Sequence, residues 1–238
     1  MPRRSSVTRR RPSEERRRRA PADRVRAFRG RLLAWYGRHR RALPWRATRD
    51  PYAILVSEIM LQQTQVARVE GYWRRFLERY PTVDDLAAAS ADAVHASWAG
   101  LGYYARARNL RAAAQAVVRE HGGAFPRDPD VLRTLPGIGR YTAAAVASIA
   151  YGADVGTVDT NVARVLGRVF RVRGRAKSAH RTRRLWALAH ELVPHGRAGD
   201  WNQALMDLGA TVCTARAPRC PACPVGVACG SRARYAPR

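Results

Sequence analysis

Lysine is almost absent from this chain of 238 residues: Lys177 is the one lysine, and arginine supplies the other basic side chains. An enzyme that attacks its substrate through a Schiff base needs an amine as the nucleophile. This sequence offers only the Lys177 side chain and the N-terminal amine. Schiff-base catalysis is therefore disfavoured.

Long apolar runs are also missing. The longest uncharged stretches, such as residues 141–153, are too short to cross a bilayer as a helix. The basic N-terminus is not followed by the apolar segment of a signal peptide. We therefore expect no membrane partner and a cytoplasmic protein.

Acidic residues are few: 18 Asp and Glu stand against 44 Lys and Arg, which gives a formal net charge of +26. Such an excess predicts a polyanionic partner, with nucleic acid before a membrane surface. Residues 1–22 hold much arginine and almost nothing apolar, which predicts a disordered Arg-rich arm. That arm is either a solvated tail or a non-specific DNA tether whose contribution fades with salt.

The remaining pattern is helical. Apolar residues recur at helical spacing from Asp23 to His39, and Asp50-Pro51 has the cap and first-position proline of a helix start. Further amphipathic segments follow up to Cys213, and we find no convincing strand. The sequence predicts an all-α fold.

A glycine hairpin precedes an alanine-rich helix in LPGIGRYTAAAVASIAYG, which begins at Leu135. Gly137 and Gly139 permit backbone angles closed to other residues and expose N–H groups. Those amides and the helix start at Arg140 suit a phosphate. The alternative is an ordinary Pro-Gly turn between packed helices.

Two carboxylates stand out. Glu58 lies on the apolar helix PYAILVSEIM with no basic residue three or four positions away, so burial would raise its pKa. Its alternative role is a solvent-facing helix charge. Asp159 follows a glycine-rich loop and precedes a helix, where it is a helix cap, a carboxylate that stabilises developing positive charge, or both.

Two segments suit contact with bases. Gln62, Gln63 and Thr64 form a polar cluster at a helix end, and amide side chains match base edges. The run GLGYYARAR places Tyr103 among glycines and arginines, as an aromatic wedge for a base stack. The alternatives are an unremarkable helix end and a core aromatic.

All four cysteines fall near the C-terminus with the spacing C-x6-C-x2-C-x5-C. In a cytoplasmic protein a metal is a better use for them than disulfides. Zinc more often takes two separated pairs, so a [4Fe–4S] cluster fits better, although the spacing leaves zinc open. The expected ligands are Cys213, Cys220, Cys223 and Cys229.

Together, LPGIGRYTA, VDTNV and the cysteine motif resemble the helix-hairpin-helix DNA glycosylases related to endonuclease III. LPWR, SEIMLQQTQV, GLGYYARARNL and NQALMDLGA resemble more narrowly the MutY-type adenine DNA glycosylases. The resemblance implies a six-helix barrel over residues 50–156 with the hairpin at about 130–151. It also implies a second helical domain from residues 23–49 and 157–238, with a cluster loop at 213–229. The base would flip into the cleft between them.

The resemblance further assigns roles. Glu58 would be the general acid, and Asp159 would stabilise an oxocarbenium-like sugar, with Tyr141 and Asn161 in support. The expected DNA contacts are Trp45, Arg46, Gln62, Gln63, Thr64, Tyr103, Leu135, Gly137, Gly139 and Arg140.

Tyr141 stands where bifunctional relatives carry lysine, which implies a monofunctional enzyme. The resemblance as a whole implies a monomer, associated with the nucleoid, that acts on double-stranded DNA with a mispaired adenine. The sequence ends soon after Cys229, so we expect it to lack the usual 8-oxoguanine-reading C-terminal domain. The rival hypotheses are a thymine or uracil mismatch glycosylase and a non-catalytic DNA-binding module.

Overall fold

The computed structural model describes residues 12–176 and 178–235, with side chains from residue 22 onward. Every regular element in these residues is helical, so the predicted all-α class is confirmed. The α-helices are α1 Pro12–His39, α2 Pro51–Met60, α3 Val66–Arg79, α4 Val83–Ala88, α5 Ala91–Ser97, α6 Ala105–His121, α7 Pro129–Leu132, α8 Arg140–Tyr151, α9 Thr160–Val169, α10 Ala179–Glu191, α11 Ala198–Thr211 and α12 Arg232–Tyr235, with 3-10 turns at Pro44–Arg46 and Gly226–Ala228.

The start of helix α2 agrees with the sequence prediction, whereas the start of helix α1 does not. Asp50 caps α2, since its carboxylate accepts hydrogen bonds from the Tyr52 N–H at 3.0 Å and the Ala53 N–H at 3.2 Å. The predicted cap is confirmed. Helix α1 begins at Pro12 instead of Asp23, so the arm predicted over residues 1–22 overlaps this helix. Residues 1–11 and Lys177 lie outside the described residues.

Two hydrophobic clusters form the core. The first joins side chains of α2 to α8, with Trp98 and Phe76 fully buried and in edge-to-face contact at 5.8 Å. The second joins α1, α9, α10 and α11 around Trp201 and Phe28, whose rings meet edge-to-face at 5.4 Å. Aromatic pairs in this geometry add to the stability gained from burial. The candidate site lies where elements of the two clusters face each other. Of the helices that the structure describes, none is long and apolar enough to cross a membrane.

Candidate active site

A large cleft gathers the predicted catalytic residues. Its volume is about 1310 Å³, and its walls include α2 and α8 from the first cluster and α9 and α11 from the second. Such a volume accommodates a group as large as a flipped nucleotide. The predicted residues that line it are Glu58, Tyr141, Asp159, Asn161, Trp45, Arg46, Gln62 and Thr64.

Glu58 is a buried carboxyl, with 7% of its surface exposed. Its pKa is raised to about 7, mainly by burial and less by the charge of Asp159, although a hydrogen bond with Tyr141 and the charge of Arg46 act in the opposite direction. The alternative of a solvent-facing helix charge is therefore wrong. Glu58 can hold or release a proton near neutral pH.

Arg46 approaches Glu58 but is already paired. Its guanidinium binds the Asp207 carboxylate in a two-pronged contact, with Nη1–Oδ2 at 2.6 Å and Nη2–Oδ1 at 2.8 Å. Arg41 Nε adds a third contact to Oδ1 at 2.6 Å. Burial alone would raise the pKa of Asp207, but the hydrogen bonds and charges of Arg46 and Arg41 outweigh it and lower that pKa. The fully buried Asp207 thus offsets the charge of Arg46 beside Glu58.

Trp45 is buried as well, and its ring meets that of Trp73 at 6.1 Å. Together with Arg46 it forms part of the cleft wall. The sequence placed both residues among the DNA contacts. Trp45 is buried and Arg46 is only partly exposed, and both side chains line the cleft.

Asp159 caps α9. One carboxylate oxygen accepts from the Val162 N–H at 2.6 Å, and the other accepts from Asn161 Nδ2 at 2.9 Å. The predicted cap is confirmed. Because both oxygens accept hydrogen bonds from fixed donors, the carboxylate is held in one orientation toward the cleft.

The loop before Asp159 is anchored by a buried amide. Asn202 on α11 accepts from the Thr157 N–H at 3.1 Å and donates to the Val155 carbonyl at 2.9 Å. Between them, a Cβ on Gly156 would lie 2.4 Å from the Ala189 carbonyl oxygen. Only glycine fits this close approach, so the position of Asp159 depends on both Asn202 and Gly156.

Tyr141 on α8 points toward the facing wall. Its hydroxyl lies 3.8 Å from the Met206 sulfur and forms a hydrogen bond with Glu58. Burial raises the pKa of this phenol well above its ordinary value, and the nearby carboxylates raise it further. The side chain is therefore a neutral hydroxyl and offers no amine.

Asn161 connects Asp159 to the cysteine segment. Its Oδ1 accepts from Arg164 Nη2 at 2.7 Å, and Arg164 Nε donates to the Cys213 carbonyl at 2.7 Å. Asn161 packs directly against Gly209 on α11. Only glycine fits there, since a Cβ at position 209 would lie 2.6 Å from Asn161 Cβ.

Gln63 and Tyr103 lie outside the cleft on the surface. Both have left-handed backbone angles, with φ of 58° for Gln63 and 50° for Tyr103, and Tyr103 is 59% exposed. A non-glycine residue in this region costs about 1–3 kcal/mol, and such residues cluster at functional sites. Because the Tyr103 side chain is exposed, the core-aromatic alternative for this residue is wrong.

In the hairpin between α7 and α8, the predicted glycine geometry is confirmed at Gly137 and wrong at Gly139, whose φ of −85° is open to any residue. Gly137 has φ of 72°, and a Cβ there would lie 2.5 Å from Asn109 Cβ. Gly139 begins α8 with no side-chain cap from the residues that the structure describes. Leu135 is buried, so it offers a ligand only its backbone, while Arg140 stacks over Trp186 at 4.0 Å.

The four cysteines line one apolar pocket of about 30 Å³ beside α9 and α11. All are free thiols, and Arg168 Nη1 lies 3.4 Å from the Cys213 sulfur. Burial raises the pKa of the Cys223 thiol to about 11. Within residues 12–176 and 178–235, no three His, Cys, Asp or Glu side chains are grouped so as to hold a metal ion.

Sequence reasoning missed three residues that shape the site: Asp207, Asn202 and Arg106. Asp207 and Asn202 both lie in NQALMDLGA on helix α11, each beside apolar residues, and both are fully buried. The signal that singled out Glu58, a polar residue among apolar ones, was present there too. Arg106 gave no comparable signal, since it is one arginine among many.

The chain is similar to known DNA repair proteins over most of its length. Residues 56–191 match the family described as HhH-GPD superfamily base excision DNA repair protein. The human adenine DNA glycosylase is 51% identical over 219 residues, which cover 88% of this chain and 40% of the human protein. The chain thus spans about two fifths of that relative's length.

Two solved structures share the fold. A thermostable thymine-DNA glycosylase superposes with a TM-score of 0.82 at 33% identity, covering 90% of this chain and 99% of that one. A trapped endonuclease III–DNA covalent intermediate, an estranged-adenine complex, gives 0.75 at 25% identity, covering 89% of this chain and 97% of that one. Because the family match alone extends over more than half of its residues, the chain belongs to the HhH-GPD superfamily of base excision DNA repair proteins.

Proposed function

We propose that this protein is a monofunctional DNA glycosylase of base excision repair that acts as a monomer and releases adenine mispaired with guanine or 8-oxoguanine. The observation that carries the proposal is the pairing of a buried, protonatable Glu58 with a hydrogen-bonded Asp159 on one cleft. The 51% identity to a human adenine DNA glycosylase supports adenine as the base.

The two carboxyl groups divide the chemistry. Glu58, with a pKa of about 7, donates its proton to a ring nitrogen of the flipped adenine, so that the base leaves as a neutral molecule. Asp159 stabilises the positive charge that develops on the sugar. Water then adds to the sugar carbon and releases one proton, which replaces the proton that Glu58 gave to the base. Asn161 holds Asp159, and the Tyr141 hydroxyl bonds Glu58.

The absence of an amine at Tyr141 determines the product. A Schiff base with the sugar would lead to strand cleavage, but a neutral phenol cannot form one. The product is therefore an abasic site in an intact strand.

DNA would bind over the mouth of the cleft. The net charge of +26 attracts the phosphates, and the Arg-rich N-terminal arm would add a salt-sensitive tether. The hairpin amides around Gly137 and Gly139, with Arg140, would hold the backbone. Gln63 and Tyr103 would enter the base stack beside the flipped adenine, and Gln62, Thr64, Trp45 and Arg46 would surround the base.

A [4Fe–4S] cluster held by Cys213, Cys220, Cys223 and Cys229 completes the proposal. Four free thiols line one apolar pocket, and cysteine thiolates are the ligands that iron–sulfur clusters take. The cluster would supply structural support and no redox step. Iron and sulfide analysis of purified protein tests this, and active protein that contains zinc instead would contradict it.

The deciding experiment is single-turnover base release from duplexes carrying A opposite 8-oxoguanine, A opposite G, T opposite G and U opposite G. Each reaction is analysed with and without alkali. We expect release of adenine only, with strand breaks that appear only after alkali. Breaks without alkali would contradict the monofunctional mechanism, and silence on all four duplexes would favour a non-catalytic DNA-binding protein.

A thymine or uracil mismatch glycosylase is the second candidate. The observation in its favour is the match to the thymine-DNA glycosylase, which extends over 99% of that chain. Its lower identity of 33%, against 51% for the human adenine enzyme, ranks it second. Release of T or U in the same assay would reverse this order. Action in the cytoplasm at the nucleoid stays a prediction.

A further inference from the structure

Arg106 is a buried arginine whose role the proposed chemistry does not explain. It lies in the first turn of α6 with 8% of its surface exposed. A buried guanidinium is normally paired with a carboxylate, because an unpaired buried charge is costly. None of the ion pairs among the described residues includes Arg106. Burial lowers its pKa, which shows how little other charge offsets its own.

The guanidinium binds oxygens of two separate loops. Nη1 donates to the carbonyls of Ile59 at 3.0 Å, Met60 at 2.7 Å and Gln62, all at the end of α2. Nη2 donates to the Thr64 hydroxyl at 3.1 Å in the α2–α3 loop. These contacts fix the loop that carries Gln63.

The second loop lies on the other side of the same group. Nη2 also donates to the Leu101 carbonyl at 3.3 Å and the Gly102 carbonyl at 3.0 Å, in the glycine-rich loop before α6. The guanidinium carbon lies 5.5 Å from the ring centres of both Trp98 and Tyr103. One side chain therefore joins the loop of Gln63 to the loop of Tyr103.

Each of the two loops carries one exposed residue with a strained backbone conformation. Gln63 and Tyr103 both have left-handed backbone angles, and both side chains are exposed. Such conformations persist only where surrounding contacts over-determine them. The carbonyls that Arg106 binds directly flank both residues, so its hydrogen bonds oppose relaxation of the two loops.

We propose that Arg106 is a positioning residue that holds the Gln63 and Tyr103 loops as one rigid unit, so that both side chains enter the base stack together. The inference rests on the proposed function and adds to it the device by which the enzyme opens the duplex. Arg106 touches no reacting atom. It acts through Gln63 and Tyr103.

Arginine is required at this position because of its geometry. Its planar fork presents donors on two nitrogens in fixed directions, whereas lysine presents three donors on one rotatable nitrogen. Lysine keeps the charge but cannot reach oxygens on both loops at once. The Arg106 Nε has no partner among the described residues, so the two Nη groups make all of the hydrogen bonds.

The test measures opening of the duplex without base release. A duplex carries 2-aminopurine, a fluorescent adenine analogue, opposite guanine, and its fluorescence rises when the base leaves the stack. All proteins carry Asp159→Asn to prevent turnover. We expect Arg106→Lys to reduce the rate of the fluorescence rise by about a hundredfold, the cost of small misplacement at a site.

Arg111→Lys is the matched control. Arg111 lies on the same helix and also donates to a carbonyl, that of Ala89 at 2.6 Å, but it joins neither loop. This control should open the duplex as its parent does. Equal loss in both variants, or unchanged opening by Arg106→Lys, would overturn the proposal.

A double-mutant cycle separates positioning from general destabilisation. In a Gln63→Ala, Tyr103→Ala background, Arg106→Lys should change the opening rate by less than about twofold, since the side chains through which it acts are gone. A full further loss in that background would contradict the proposal. If Arg106→Lys fails to fold by thermal melting, Thr64→Val, which removes one contact of the guanidinium, replaces it. Opening by Thr64→Val at the parent rate would then overturn the proposal.

This readout is independent of the proposed reaction. If the unmodified protein releases no base while Arg106→Lys still abolishes opening, the glycosylase assignment fails and the positioning role stands. If base release occurs and Arg106→Lys opens DNA at the parent rate, the glycosylase assignment stands and the positioning role fails.

Discussion

The two carboxyl groups of the cleft have the same chemistry and opposite surroundings. Glu58 lies within an apolar helix, and burial raises its pKa to about 7. Asp159 lies at a helix start, where the Val162 N–H and the Asn161 amide each donate to one of its oxygens. Burial that outweighs the single hydrogen bond with Tyr141 favours a protonated acid at Glu58, whereas two fixed donors suit an anion.

The difference shows how the fold sorts acid from anion. The helix of Glu58 belongs to the first hydrophobic cluster and that of Asp159 to the second, so each group takes its environment from a different part of the core. The cleft brings the two environments together. Substitutions at Asp159, Glu58 or Asn161 each change the surroundings or the charge of one of these two carboxyl groups.

The largest effect is expected from Asp159→Asn. Asparagine caps helices well, so the fold and DNA binding should be retained. The variant loses the negative charge opposite the developing cation, and base release should fall about a thousandfold, or ~4 kcal/mol. Single-turnover kinetics measures the loss.

Asp50→Asn is the control for that substitution. Asp50 caps α2 in the same way, through the Tyr52 and Ala53 N–H groups, but does not line the cleft. Its variant should retain activity. If Asp159→Asn loses DNA binding and base release in equal measure, Asp159 is mainly a structural cap.

The second largest expected effect is that of Glu58→Gln on the free energy of unfolding. The folded protein keeps a proton on Glu58 up to about pH 7, while the unfolded chain releases it near 4.5. The contribution of Glu58 is therefore fully present below pH 4.5 and is lost as the pH rises to about 7. Glu58→Gln cannot titrate and should gain up to ~3 kcal/mol relative to the parent over this range.

Denaturant unfolding of both proteins at several pH values measures this difference, and comparison of the two cancels all other titrating groups. A constant difference between pH 4.5 and 7 would show that Glu58 is ionised in the folded protein.

Catalysis should respond to the same group. Glu58→Gln removes the proton donor, and adenine release should fall about a hundredfold. The parent should lose activity as the pH rises through about 7, because Glu58 then loses its proton, while the variant's residual rate should lack that step. Full activity in the variant would shift the substrate toward a pyrimidine.

Local signals predicted much of this molecule, and long-range contacts explain what they missed. The Asp50-Pro51 start and the glycine hairpin are encoded by neighbouring residues, and the sequence identified them. The environment of Glu58 could be predicted only conditionally, since its burial depends on packing. Asp207 carries the same local signal as Glu58, but no local pattern marks its pairing with Arg46, which lies 161 positions away.

The same reasoning applies to the arginines. With 43 arginines and one lysine, composition predicts binding to DNA but hides the few guanidinium groups that work inside the protein. Arg106 differs from its neighbour Arg108 only once the loops have folded around it. A buried structural arginine and an exposed DNA-binding arginine have the same sequence signal.

The smallest predicted effect tests how Asp159 is held. Asn161→Ala removes the donor to one carboxylate oxygen and leaves the Val162 N–H on the other. Because one of two fixed contacts remains, base release should fall only about tenfold, or ~1.4 kcal/mol, in single-turnover kinetics. Asn161→Asp provides a stricter form, since it keeps the size and replaces the donor with a second carboxylate. If Asn161→Asp is as active as the parent, Asp159 does not need its amide partner, and the contrast with Glu58 rests on the helix start alone.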